Sequence, residues 1–436
     1  MIRIAALKPS LRAGLMLAAA LAGVQPALGQ DYDARVARVL KETPLIDGHN
    51  DWPEVLRERE GEGRWTIDLR AGLDKKPEPY NTDIARLRKG RVGGQFWSVY
   101  VSASLPGKDQ VIETLEQIDL VKHIVARYPA DFALARTAAD VRRIHREGKI
   151  ASLIGVEGGG QIDDSLSILR TYHDLGAGYL TLTHAKTIEW ADSATDDPQH
   201  NGLTPFGEAV VRELNRLGML IDLSHVSDAT MRDALRISKA PVIFSHSSAR
   251  ALDDHPRNVS DAMLKLVAAN GGVVMVNFAP PYVSDAYRLW AAEQAAEGTR
   301  LNAPPFSGLY IGQPDKAKAA MAQWLKDHPA PRVTLAQVAD HIEHIARVAG
   351  VDNVGIGSDF DGVGPTLPEG LGDVTTYPAL LAELMRRGWS DADVAKLAGG
   401  NVLRAMAQAE KVALSLKDKV PATDRIPGGT IGKDGG

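Results

Sequence analysis

Five short motifs place histidine or carboxylate where an apolar, extended run gives way to a loop. They are Asp47-Gly48-His49-Asn50-Asp51, Gly155-Val156-Glu157-Gly158-Gly159, Ile221-Asp222-Leu223-Ser224-His225, Ile243-Phe244-Ser245-His246-Ser247 and Gly357-Ser358-Asp359-Phe360-Asp361. In an extended chain residues two apart point to the same side, so His49 and Asp51 can grip one ion. Imidazole and carboxylate together suit a borderline cation, chiefly zinc. His49, Asp51, Glu157, His225 and His246 are five ligands, more than one tetrahedral zinc with an open position needs. The surplus favours two zinc ions roughly 3.5 Å apart, bridged by a carboxylate and clamping a hydroxide between them. Any one of these histidines alone is as consistent with packing as with ligation; the case rests on the set. Asp47 sits deeper on the same run and reads as a support for the ligands. The His341-Ile342-Glu343-His344 run lacks the HExxH spacing and reads as structural, on a helix approaching the face of the fold opposite the ligands.

The elements that must bring these motifs together can be read from periodicity. Short β-rich runs are expected near Pro44–Gly48, Gln95–Val101, Ala151–Val156, Tyr179–Thr183, Met219–Leu223, Val242–Ser245, Gly272–Val276 and Val354–Gly357. Between them lie stretches such as Phe206–Leu217 and Asp228–Ile237, whose apolar residues recur at three and four positions as an amphipathic helix requires. Strand alternating with helix, eight times, predicts an α/β fold of the (β/α)₈ barrel type, in which residues at the carboxyl ends of the strands converge on one face. A long insertion from Pro280 to Pro331, after the seventh strand, carries helical runs at Asp285–Glu297 and Lys316–Lys326 around a Pro/Gly-rich loop. An insertion at that face is expected to border the site and to set its specificity.

Residues 1–29 read as a signal peptide: Arg3, Lys8 and Arg12 precede an apolar stretch, Ala13 to Val24, and Ala27-Leu28-Gly29 offers a small-x-small cleavage site. The apolar run falls short of the roughly 20 residues that span a bilayer, so no membrane anchor is expected after cleavage, and the mature protein is expected in the periplasm or secreted. The chain has no cysteine, which excludes a disulfide framework. Its formal charge of −5 becomes −8 once three basic residues leave with the signal, which argues against a nucleic-acid partner. Residues 30–420 form the expected barrel domain. Residues 421–436, rich in Gly, Pro and charge, read as a flexible tail.

The segments DGHND, GGQFWSVY, GVEGG, LTH followed by WAD, DLSH, FSHSSAR, HPRN, GIGSDFDGV and GGNVLR occur in this order from about residue 44 to 410. In this the chain resembles the membrane (renal) dipeptidase family of metallopeptidases. The resemblance implies an enzyme that hydrolyses dipeptides by attack of a metal-bridging hydroxide. It assigns His49, Asp51 and Glu157 to one zinc, and Glu157, His225 and His246 to the other. It further implies that His184 reaches the scissile carbonyl oxygen, that Arg257 receives the substrate's carboxylate, and that Asp359 moves the proton. Tyr100 and Tyr282 are candidates for the walls of the substrate pocket, and a homodimer is suggested by resemblance alone. Trp52 stands where family members commonly carry Leu, and is expected to narrow the pocket beside the metals. The rival readings are another two-metal amidohydrolase acting on lactones, N-acyl amino acids or β-lactams, and a non-catalytic exported binding protein.

Overall fold

The computed structural model describes residues 31–364 and 366–422. The expected signal at 1–29 and residues 423–436 of the expected tail lie outside them. No described helix is long and apolar enough to cross a membrane.

Among the described residues there are nine parallel strands: β1 (Leu45–Asn50), β2 (Val92–Tyr100), β3 (Phe132–Leu134), β4 (Ile150–Glu157), β5 (Ala177–Thr181), β6 (Leu220–Asp222), β7 (Ile243–Phe244), β8 (Val273–Val276) and β9 (Val354–Ile356). Eight of them close a ring in the order β2-β1-β9-β8-β7-β6-β5-β4, with β4 pairing back to β2. This is the (β/α)₈ barrel that the alternation predicts. The ninth, β3, was not expected. It pairs with residues 150–152 of β4 beneath β5, which pairs with residues 154–157. A three-residue run is too short for period-two alternation to show.

Alternate strand residues divide between two apolar clusters. Ile46, Phe96, Tyr179, Leu220, Ile243 and Met275 pack together with Val402 and Met406 of the last helix, Asn401–Leu416. Their chain neighbours Leu45, Trp97, Leu180, Ile221, Phe244 and Val276 join the larger cluster shared with the outer helices. Tyr179 on β5 reaches His49 on β1, three places around the ring, a contact that only the barrel interior allows. These six strands are thus apolar on both faces, as a sheet covered by helices must be.

One irregularity positions the site. Between the pairs Asp47↔Gln95 and Asn50↔Trp97, β1 takes three steps while β2 takes two. Such a bulge bends the strand and re-aims its side chains. Here it falls on Gly48-His49, and a Cβ on Gly48 would meet the Ser245 carbonyl oxygen at 2.5 Å.

The insertion forms helices Asp285–Asn302 and Pro314–Asp327, close to expectation. The helix Leu335–Ala349 carries the His341–His344 run, but not toward the face expected. His341 accepts from the Ala249 amide at 3.0 Å and lies 3.1 Å from the Val283 carbonyl, in the loops that follow β7 and β8. A helix antiparallel to its strands begins at their carboxyl ends, which brings its first turns to the same face as the candidate ligands. The structural role stands: His344 lies 2.6 Å from Asp261 on a neighbouring helix.

Candidate metal centre and catalytic cavity

The five expected ligands meet at the carboxyl end of the barrel. Ligand atoms of His49, Glu157 and His246 lie within 4.8 Å of one another; so do those of Glu157, His184 and His225, and those of His49, Asp51 and Asp359. Glu157, the last residue of β4, divides its two oxygens. Oε2 stands 3.3 Å from His49 Nε2, which is 3.4 Å from Asp51 Oδ1. Oε1 stands 3.0 Å from His225 Nε2 and 3.4 Å from His246 Nε2. One carboxylate between two sets of donors is the arrangement expected of a bridging ligand.

The supporting contacts decide which nitrogens are free to ligate. Ser245 donates its single hydroxyl proton to Asp222 Oδ2 at 2.6 Å and lies 2.8 Å from His246 Nδ1. Nδ1 must therefore be the donor to Ser245, which leaves the lone pair of Nε2 aimed at the cluster. His49 Nδ1 lies 3.0 Å from the Tyr179 hydroxyl, fixing that ring in the same manner. Burial, followed by the Arg257 cation, holds His225 well below the usual histidine range; burial, then His49 and Arg257, does so for His246. Burial acts to raise Glu157, but His49, His225 and His184 outweigh it and hold its carboxyl well below the usual range. Neutral His225 and His246 beside an ionised carboxylate have the protonation states a metal requires; at His49 burial acts to lower the ring, but Tyr179, Glu157 and Asp51 outweigh it and hold it well above the usual histidine range.

Two further observations fit a cation pair. Asp51 Oδ1 is buried without a hydrogen-bond partner, a costly state unless something positive satisfies it. Gly362 makes room beside it: a Cβ there would meet Asp51 Oδ2 at 2.0 Å and Asp359 Oδ1 at 2.6 Å.

The cluster floors a cavity of about 460 Å³ whose wall includes Tyr100, His184, Arg257, Tyr282 and Asp359. Every residue expected at the site therefore lies at it. His184 Nε2 is 3.8 Å from Glu157 Oε1, and its ring is 4.5 Å from Tyr100. Arg257 is 2% exposed, bonds Ser247 Oγ and the His246 carbonyl at 3.2 Å each, and lies 5.3 Å from the Tyr282 ring. Its Nε has no hydrogen-bond partner, and no carboxylate pairs with it among the described residues. Asp359, at φ 65°, accepts from Asn277 Nδ2 at 2.9 Å; burial, then the charge of Asp51, pushes its carboxyl well above the usual range.

Two expectations need correction. Trp52 does not narrow the cavity: it is 1% exposed and packs 5.4 Å from Trp97. It opens a helix, Trp52–Glu60, so it turns away from Asp51 instead of continuing the strand's alternation. Of the insertion, only Tyr282 lines the cavity. The wall on the β1 side is instead built by that helix, through Glu54, Val55, Glu58 and Arg59.

Sequence reasoning named Asp47 as a support, and it accepts from Ser358 at 2.7 Å and Tyr377 at 2.8 Å. It missed Tyr179, Ser245, Asp222 and Asn277. Asp222 and Ser245 lie within the quoted motifs, but Tyr179 and Asn277 carry no local signal.

Residues 33–420 match the family described as membrane dipeptidase (peptidase family M19). The chain is 39% identical over 406 residues to the dipeptidase verJ of Clonostachys rogersoniana, covering 90% of this chain and 91% of that one. Among solved structures it resembles the probable dipeptidase PvdM from Pseudomonas aeruginosa, with TM-score 0.72, 26% identity, and 88% and 100% of the two chains covered. It also resembles a metallopeptidase from Rhodobacter sphaeroides liganded with a phosphinate mimic of the dipeptide L-Ala-D-Ala, with TM-score 0.68, 25% identity, and 84% and 99% covered.

Proposed function

This chain belongs to the membrane dipeptidase family, and from that premise we propose that it hydrolyses dipeptides with two zinc ions held by His49, Asp51, Glu157, His225 and His246. The observation that carries the reading is Glu157, with one oxygen turned to His49 and the other to His225 and His246. Its relative from Rhodobacter sphaeroides takes a dipeptide mimic. When bound, the ions would supply Lewis acidity and lower the pKa of a water to about 7, which would make hydroxide available at neutral pH.

The chain's own groups do the rest. Arg257, buried and lacking an anion, receives the free carboxylate through its Nε and a neighbouring nitrogen, a charge-assisted fork that an internal peptide segment cannot satisfy. His184 donates to the carbonyl oxygen as negative charge develops there. Asn277 occupies Asp359 Oδ2, so Oδ1 is the oxygen left to take the water's proton and pass it to the leaving amine. A carboxyl raised by burial is suited to holding that proton between the two steps. Export follows in this reading from residues 1–29.

The test is to measure metal per chain together with dipeptide cleavage, before chelation, after it, and after zinc is restored. Two ions per chain and a loss of cleavage that zinc reverses are expected. Fewer than one ion per active chain refutes the two-metal site, and failure to cleave any dipeptide refutes the substrate class.

A further inference from the structure

The cavity has a wall whose charges the mechanism does not use. Glu54 and Glu58 lie four residues apart, on one face of the helix Trp52–Glu60, and both line the cavity. Like charges at that spacing destabilise a helix. The helix dipole accounts for a carboxylate in the first turn, where Glu54 sits, but not for a second one a turn later.

Glu54 is half-buried and makes no ion pair or hydrogen bond among the described residues. The cations of its own helix pair with other groups: Arg57 with Glu113 at 2.6 Å, and Arg59, which also lines the cavity, with Glu78 at 3.4 Å and with the Tyr80 ring. Burial, then the charges of Asp51, Glu58 and Glu157, push the Glu54 carboxyl up to about 9 and outweigh the opposing charge of Arg57, so its surroundings as a whole disfavour the charge. An independent observation says that a charged ligand spans this cavity, namely the buried Arg257 with its unpartnered Nε. The two features face each other. Arg257 follows β7, Tyr100 ends β2, and these strands stand four places apart in the ring of eight; Glu54 is on the helix that follows β1, the neighbour of β2.

We propose that Glu54, backed by Glu58, forms the subsite for the amino-terminal residue of the substrate and selects a cationic side chain there. The inference rests on the dipeptidase reading. With the free carboxylate on Arg257 and the scissile bond over Glu157, the first residue must point to the opposite wall. Its α-ammonium lies next to the scissile carbonyl, among the metal ligands. A side-chain cation extends farther, along the line from Glu54 to the exposed Glu58 at the mouth. The preferred substrate is therefore a dipeptide beginning with lysine or arginine, which matches both poles of the cavity.

The experiment compares kcat/KM for Lys-Ala and norleucyl-Ala, which share chain length and differ in charge, using the zinc-loaded wild type, Glu54→Gln and Glu54→Lys. Because the readout is a ratio, a general loss of activity in a variant does not disturb it. A charge-assisted contact predicts that the wild type favours Lys-Ala by at least about tenfold. The ratio should fall to near one in Glu54→Gln and below one in Glu54→Lys. A wild-type ratio near one, or a ratio that survives in Glu54→Gln, overturns the proposal while leaving the dipeptidase reading intact. Failure of the wild type to cleave either dipeptide, or alanyl-alanine, sinks both.

Discussion

Arg257 is where the structure makes its sharpest quantitative demand. The guanidinium is 2% exposed, two of its five N–H groups are spent on Ser247 and the His246 carbonyl, and no carboxylate pairs with it among the described residues. A buried, unpaired charge costs several kcal/mol, a burden the free enzyme carries until a carboxylate arrives. Replacing it by Met, of similar length and no charge, should therefore separate stability from function. Two hydrogen bonds to a charged group, taken at about 1.5 kcal/mol each, give roughly 3 kcal/mol, or on the order of 10²-fold in kcat/KM. The assay is a cycle: alanyl-alanine and its C-terminal amide against wild type and Arg257→Met. Wild type should favour the free acid over the amide by about 10², and the variant should treat them nearly alike. Thermal unfolding of the metal-free proteins should place the variant's Tm at or above the wild type's, since an uncompensated charge has gone. An acid-to-amide preference that persists in Arg257→Met, or a large drop in its Tm, would show that Arg257 holds the fold and does not read the carboxylate.

Other consequences follow from the same geometry. Asp359→Asn should bind metal as the wild type does yet turn over at least about 10²-fold more slowly, because the exchanged group keeps its shape and loses its proton chemistry; unchanged kcat would remove Asp359 from the mechanism. Tyr179→Phe deletes the hydroxyl beside His49 Nδ1 and should weaken metal affinity by about 10- to 100-fold in competition with a chelator, against little change in secondary structure. His341 is buried with Nδ1 accepting from Ala249, and burial lowers it to about 4. The unfolded chain binds this proton at a higher pH than the folded one does, so stability is fully present above about 6.5 and is lost as pH falls towards 4. Two and a half units correspond to about 3 kcal/mol. Urea unfolding of the metal-free protein at several pH values should show that loss, and His341→Asn, which keeps an acceptor without a titrating ring, should flatten it.

The linear sequence determined what is local or periodic. Alternating β and helical periods specified the barrel, because each strand must be apolar enough to be covered on both faces and each helix must show one apolar stripe. The candidate ligands were legible because a βα fold has only one place where strand ends converge, so His49, Glu157, His225 and His246 could be placed together without any known contact. The same logic failed where the chain departs from regularity. The bulge at Gly48-His49, the three-residue β3, and the turn that sends Trp52 into the core depend on pairing and packing with distant segments, and no window of sequence contains them. Tertiary structure alone decided which wall faces the substrate. The insertion was the expected candidate by length, yet it contributes only Tyr282, while the nine-residue helix after β1 brings Glu54 and Glu58 to the cavity. Only the folded chain could show that Glu54 makes no ion pair and that no carboxylate pairs with Arg257 among the described residues, because a missing partner is a property of the space around a residue, not of its neighbours in sequence.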